Sequence, residues 1–169
     1  MPWERYRFYL YTPPGAGQRG SCFLSLLPGV KPISLDVFET LRGQFTDLGE
    51  INPDYSGFKT LEKKFILLLC NEQNSPCGYC VFIADKLEVI EIDIILVRKE
   101  LRRRGLGRLM LGYLEQACRT GTVIYVNYVT AAGRKFFIGC GFARDVDLFK
   151  VLRAHNRIFP QIPPVLACG

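Results

Sequence analysis

The chain has 169 residues, 49% of them hydrophobic and 22% charged, with a formal net charge of +6. That balance excludes a disordered or low-complexity chain, and the longest uninterrupted apolar run, residues 65–70, is far too short to cross a bilayer. Seven cysteines, an odd number in a chain long enough to bury its own core, argue against a disulfide framework and for reduced thiols in an intracellular protein, cytoplasmic or nuclear.

One domain is the expected count. In chain order, residues 5–12 are aromatic and partly alternating and read as a strand; Pro13-Pro14-Gly15-Ala16-Gly17 is a loop, and residues 21–27 read as a second strand pairing back on the first. Ser34 is a fitting N-cap for a helix to about Leu48, with Leu35, Phe38, Leu41, Phe45 and Leu48 as its buried stripe. Residues 49–60 are irregular. Three apolar runs follow, residues 64–70, 77–84 and 87–97, separated by short polar turns, which predicts an antiparallel meander.

The third run leads straight into Arg102-Arg103-Arg104-Gly105-Leu106-Gly107-Arg108. Leu106, Leu109, Met110, Tyr113, Leu114 and Ala117 then align at helical period, and the helix stops at Thr120-Gly121. Residues 122–128, β-branched and aromatic, form the next strand, so strand, glycine turn, helix and strand make a βαβ unit with parallel strands. Residues 145–152 read as a last strand. Residues 155–169 form a proline-containing tail too apolar to float, which packs on its own domain or on a partner such as a second copy in a homodimer.

The glycine turn is suited to an anion. Helix N-terminal N–H groups lack partners there, the glycines remove Cβ atoms from the approach, and four arginines fall between Arg102 and Arg108. The turn has neither the third glycine of a dinucleotide fingerprint nor the Lys-Ser/Thr of a P-loop. With Arg102, Gly105 and Gly107 in the three defining places, it resembles motif A of the GNAT acyl-CoA N-acyltransferase superfamily. A second block agrees: Val126-Asn127, then Phe136-Phe137, then Gly141-Phe142, at the family's spacing.

The resemblance implies a GNAT fold: an α/β domain whose mixed, mostly antiparallel sheet of about seven strands splays between its fourth and fifth strands, with flanking helices and acetyl-CoA as cosubstrate in the cleft. It implies that Leu96 and Val97 lie along the cosubstrate, with Val97 N–H orienting the thioester. Arg102, Arg103, Arg104, Gly105, Leu106, Gly107 and Arg108 would hold the pyrophosphate, Asn127 would contact the pantetheine arm or the end of the fifth strand, and Phe136 would also contribute to cosubstrate binding. The acceptor would be an amine, either a small molecule or a group on a protein or peptide, in a pocket bordered by the irregular segment 49–60.

Glu91 and Asp93 stand two apart on an apolar strand, hence on one face about 6.6 Å apart. Mutual repulsion there would raise at least one carboxyl toward the range of a general base; the alternative is that both face water on a wet side of the sheet. The resemblance assigns the base role to Glu91, with Asp93 second. The chain departs from the family where Phe137 replaces the tyrosine that protonates the leaving thiolate; Tyr128 and Tyr125 are candidate substitutes, and solvent could serve because a thiolate is a tolerable leaving group near neutral pH. Thr130 and Gly133 depart from the pattern as well.

Cys77-Gly78-Tyr79-Cys80 has no second pair and no nearby histidine, so no metal is expected. Two rival readings stand beside the N-acetyltransferase. One is a GNAT-fold module that binds CoA without catalysis, which Phe137 favours. The other is a basic nucleic-acid-binding domain, disfavoured because the helix after Gly107 is apolar on its inner face.

Overall fold

The computed structural model describes residues 2–42, 63–86, 88–126, 129–144 and 147–162. Among these, seven strands, β1 (Arg7–Tyr11), β2 (Lys31–Pro32), β3 (Lys64–Cys70), β4 (Pro76–Lys86), β5 (Val89–Val97), β6 (Val123–Val126) and β7 (Leu148–Val151), form one sheet in the order β2-β1-β3-β4-β5-β6-β7. β1 with β2 and β5 with β6 are parallel; the other four pairings are antiparallel. Four helices accompany it: α1 (Gln18–Leu26), α2 (Leu35–Arg42), α3 (Leu106–Glu115) and α4 (Ala131–Gly139).

The mixed, mostly antiparallel α/β sheet agrees with the expectation. The two-residue β2, at the edge where proline is tolerated, stands in place of the strand read over residues 21–27, and the strands that the family resemblance counts as fourth and fifth are β5 and β6. One local reading is overturned. Residues 21–27 belong to helix α1 and to the residue capping it, because Gly20, Phe23 and Leu27 recur at helical spacing and turn one buried side to the core.

β3 explains the layering. Phe65, Leu67 and Leu69 join Phe23 of α1 and the inner residues of α3 in one buried cluster, whereas Ile66, Leu68 and Cys70 join Phe38 of α2 in another. Both faces are thus covered, and the strand reads as a continuous apolar run rather than an alternating one. No helix among the described residues is long and apolar enough to cross a membrane.

The tail, as far as Ile162, packs on α3. Glu115 and Lys150, both with fully buried side chains, meet at 2.7 Å; Lys150 Nζ also donates to the Cys140 carbonyl, and the second Glu115 oxygen accepts from Ile158 N–H. Arg157 donates to the carbonyls of Glu115 and Cys118, each at 2.7 Å, placing a cation on carbonyl oxygens at the C-terminal end of the helix, where the dipole favours it. Phe159 packs edge-on against Trp3, which meets Tyr113 in the same manner.

Gly112 makes this contact close. A Cβ there would lie 2.5 Å from the Phe159 ring and 2.8 Å from Ile158 Cγ2. Gly112→Ala gains about 1 kcal/mol of helix propensity but overpacks at a cost of about 1–3 kcal/mol. The expected outcome is a lower melting temperature and faster proteolysis within residues 153–162; a higher melting temperature would show that the tail does not press on α3.

Candidate functional site

β5 changes character halfway along. Val81 pairs with Ile94 but Phe82 pairs with Ile92, leaving Asp93 as the extra residue of a β-bulge. As a result Ile90 and Ile92, then Ile95 and Val97, lie on the α3 side of the sheet, while Ile94 and Leu96 lie on the α2 side. Pairing with β6 ends at Ile92 with Val126, so residues 93–97 run on without a β6 partner among the described residues. This is the expected splay.

The ladder shows what faces that opening. Arg98 N–H donates to the Cys77 carbonyl at 2.9 Å, and alternation along an antiparallel pair then turns the N–H groups of Ile95 and Val97 away from β4. Val97 was expected there. Ile95 was not, because its orientation follows from the register beyond the bulge. Leu96, by the same alternation, bonds to β4 through its backbone.

Beyond the strand, Arg102 Nε donates to the Val97 carbonyl at 3.0 Å and braces the turn on the strand end. Arg103 has φ 62° and Gly105 φ 80°, and Gly105 caps α3 with no side-chain hydrogen bond. The first intrahelical bond runs from Leu109 N–H to the Gly105 carbonyl, so the N–H groups of Leu106, Gly107 and Arg108 emerge at the helix start without helical acceptors. A Cβ on Gly105 would meet nothing within 4 Å, whereas one on Gly107 would lie 3.1 Å from the Phe136 ring. Phe136 therefore walls the turn. Of the cluster's side chains, Leu106 is buried in the core, so only its backbone can serve, and Arg108 Nη1 donates to the Gly139 carbonyl of α4.

Glu91 and Asp93 do share a face, and each has a partner on another strand of the sheet, Tyr125 on adjacent β6 and Lys64 on β3 beyond β4. Asp93 forms a 2.7 Å ion pair with Lys64 of β3, with both side chains mostly buried. Glu91 Oε2 accepts from the Tyr125 hydroxyl of β6 at 2.9 Å. Tyr125 thus acts on the carboxylate rather than standing apart as a substitute acid. Asn127 and Tyr128 lie outside the described residues. Phe137 is buried, edge-on to Phe136 and Phe142, and offers no proton.

The buried thiols among the described residues are not activated. Burial pushes Cys70 up to about 12, with the charge of Cys77 adding to it; burial also pushes Cys118 up to about 12 and raises Cys80 and Cys140. A thiol held protonated is a poor nucleophile.

The model of the acetyltransferase (GNAT) family matches residues 35–142, more than half of the chain. The chain belongs to the GNAT family. The matched segment runs from α2 to Phe142 and holds the bulged strand, the arginine-glycine turn, α3 and α4. Solved GNAT structures share the fold. A GNAT acetyltransferase of Staphylococcus aureus Mu50 aligns at TM-score 0.56 and 14% identity over 72% of this chain and 96% of its own. Tetrahymena GCN5 aligns at TM-score 0.51 and 15% identity over 88% of this chain and 84% of its own. No curated protein matches the sequence. GNAT enzymes use acetyl-CoA and act on amine acceptors.

Proposed function

We propose that the chain is an N-acetyltransferase that moves an acetyl group from acetyl-CoA to a primary amine by direct attack. The observation that carries this reading is the splay between β5 and β6: the Ile95 and Val97 N–H groups open into it, the arginine-glycine turn begins at one end, and Glu91 stands on the same strand at the other.

The residues suit the cosubstrate. A pyrophosphate needs backbone donors and room to approach them, and the N–H groups of Leu106, Gly107 and Arg108 meet open space at Gly105, with the helix dipole and Arg102 to Arg104 adding positive potential. The Val97 or Ile95 N–H would polarise the thioester carbonyl. Glu91, oriented by Tyr125, takes a proton from the acceptor ammonium directly or through water, and Asp93, paired with Lys64, is the lesser candidate. The freed nitrogen lone pair attacks the carbonyl carbon, the C–N bond forms, the C–S bond breaks, and CoA leaves as a thiolate. The second proton that the attacking nitrogen loses goes to the thiolate or to water. A thiolate is a tolerable leaving group near neutral pH, so transfer proceeds without an acid at Phe137; Tyr128 would be the acid if one is used.

Steady-state assays of CoA release test the base. Glu91→Gln is expected to lower kcat about 100-fold or more while leaving acetyl-CoA affinity within about 2-fold. An unchanged kcat would remove Glu91 from the role. The buried Phe137 favours a second reading, a CoA-binding module without transfer, for which acetyl-CoA binds but no amine releases CoA.

A further inference from the structure

Beside the first turn of α3 lies a groove of about 650 Å³, lined by Arg104, Gly105 and Leu109, by Arg5 and Tyr6 ahead of β1, and by Phe159 of the tail. That is room for a small ligand. None of its described lining residues belongs to β5 or β6, so it lies apart from the splay and meets the arginine-glycine turn at Gly105. Tyr6 and Phe159 are half-buried and give it aromatic surface, while Arg5 and Arg104 are exposed. Arg108 and Glu4 also line it, so three guanidinium groups stand against one carboxylate, a balance that favours an anion. Arg5, Tyr6 and Phe159 fall outside residues 35–142, the part matched to the GNAT family, so the groove is walled by segments that the family model does not cover.

We propose that this groove is the subsite for the nucleoside end of the cosubstrate, with Arg5 and Arg104 holding the ribose phosphate of CoA, so that the chain selects acetyl-CoA over a carrier lacking that phosphate. The inference rests on the acetyl-CoA reading above and deepens it. A pyrophosphate at the N–H groups of Leu106, Gly107 and Arg108 lies next to Gly105, a residue of the groove, and the phosphorylated nucleoside is its direct covalent continuation. The groove is thus within reach. The adenine ring gains apolar contact on Tyr6 and Phe159, and the ribose phosphate gains charge-assisted hydrogen bonds from guanidinium groups whose paired N–H donors match its oxygens. A carrier without the ribose phosphate leaves Arg5 nothing to hold.

Calorimetric titrations of the full chain with acetyl-CoA and with acetyl-dephospho-CoA, which lacks only the ribose phosphate, are run at low ionic strength, where exposed charges are least screened. The wild-type chain is expected to bind acetyl-CoA at least about 5-fold more tightly. Arg5→Gln, a change at an exposed side chain, is expected to weaken acetyl-CoA binding about 3- to 5-fold and to leave acetyl-dephospho-CoA within about 1.5-fold. The gap between the two ligands should then narrow. Equal wild-type affinities for the two ligands overturn the subsite, as does an Arg5→Gln variant whose two affinities fall by the same factor or do not move. Absence of binding by both ligands overturns the acetyl-CoA reading, and the subsite falls with it.

Discussion

Gly105→Asp is expected to weaken acetyl-CoA binding at least about 100-fold in a calorimetric titration, a loss of roughly 2.7 kcal/mol or more. The variant sets a carboxylate in front of the N–H groups of Leu106, Gly107 and Arg108, where the dipole of α3 and the neighbouring arginines otherwise favour an anion. Gly105 has φ 80°, which strains any side chain, yet Asp and Asn tolerate this region better than most residues, and a Cβ there meets no atom within 4 Å. The fold should therefore survive. Gly105→Asn carries the same backbone strain and nearly the same bulk without the charge, so it should lose far less affinity. Equal losses in both variants would assign the effect to strain, and wild-type affinity in Gly105→Asp would place the pyrophosphate elsewhere.

Lys150→Met is expected to destabilise the protein by about 3–5 kcal/mol in urea unfolding. Lys150 and Glu115 have no exposed side-chain surface, and removal of the ammonium strands a carboxylate that keeps only the Ile158 N–H. Replacing both partners, Glu115→Leu with Lys150→Met, should cost less than the single change, since no unpaired charge remains; its residual cost is the Ile158 N–H left without an acceptor, about 1–3 kcal/mol. A loss under about 1 kcal/mol for Lys150→Met would show that this pair does not hold β7 and the tail to α3.

Several features were legible in the residues because their causes are local. The bulged central strand, the arginine-glycine turn, α3 and β6 declare themselves through β-branched runs, two glycines and a helical stripe, each within a few residues of its cause. β3 could be placed to the residue. The error at residues 21–27 has a local cause too: a short apolar run fits a buried strand or a helix equally well, and the Gly20, Phe23, Leu27 spacing was the signal that separated them. β2 had no such signal, since two residues make no period.

The site divides along the same line. Glu91 and Asp93 were visible as two carboxylates on one face, because the strand's period of two acts over adjacent residues. Their partners, Tyr125 and Lys64, lie 34 and 29 residues away and are brought in only by the register of β6 and β3. The Ile95 N–H faces the opening because hydrogen-bond alternation is set by pairing with β4, and the bulge at Asp93 resets which side chains look which way. The sequence alone thus determined the arginine-glycine turn, the parallel βαβ unit and the two acidic side chains, all of which depend on covalent neighbours. Tertiary structure alone decided which carboxylate is neutralised, which amides face the cleft and what anchors the tail, because each of these depends on strands and helices meeting across long stretches of chain.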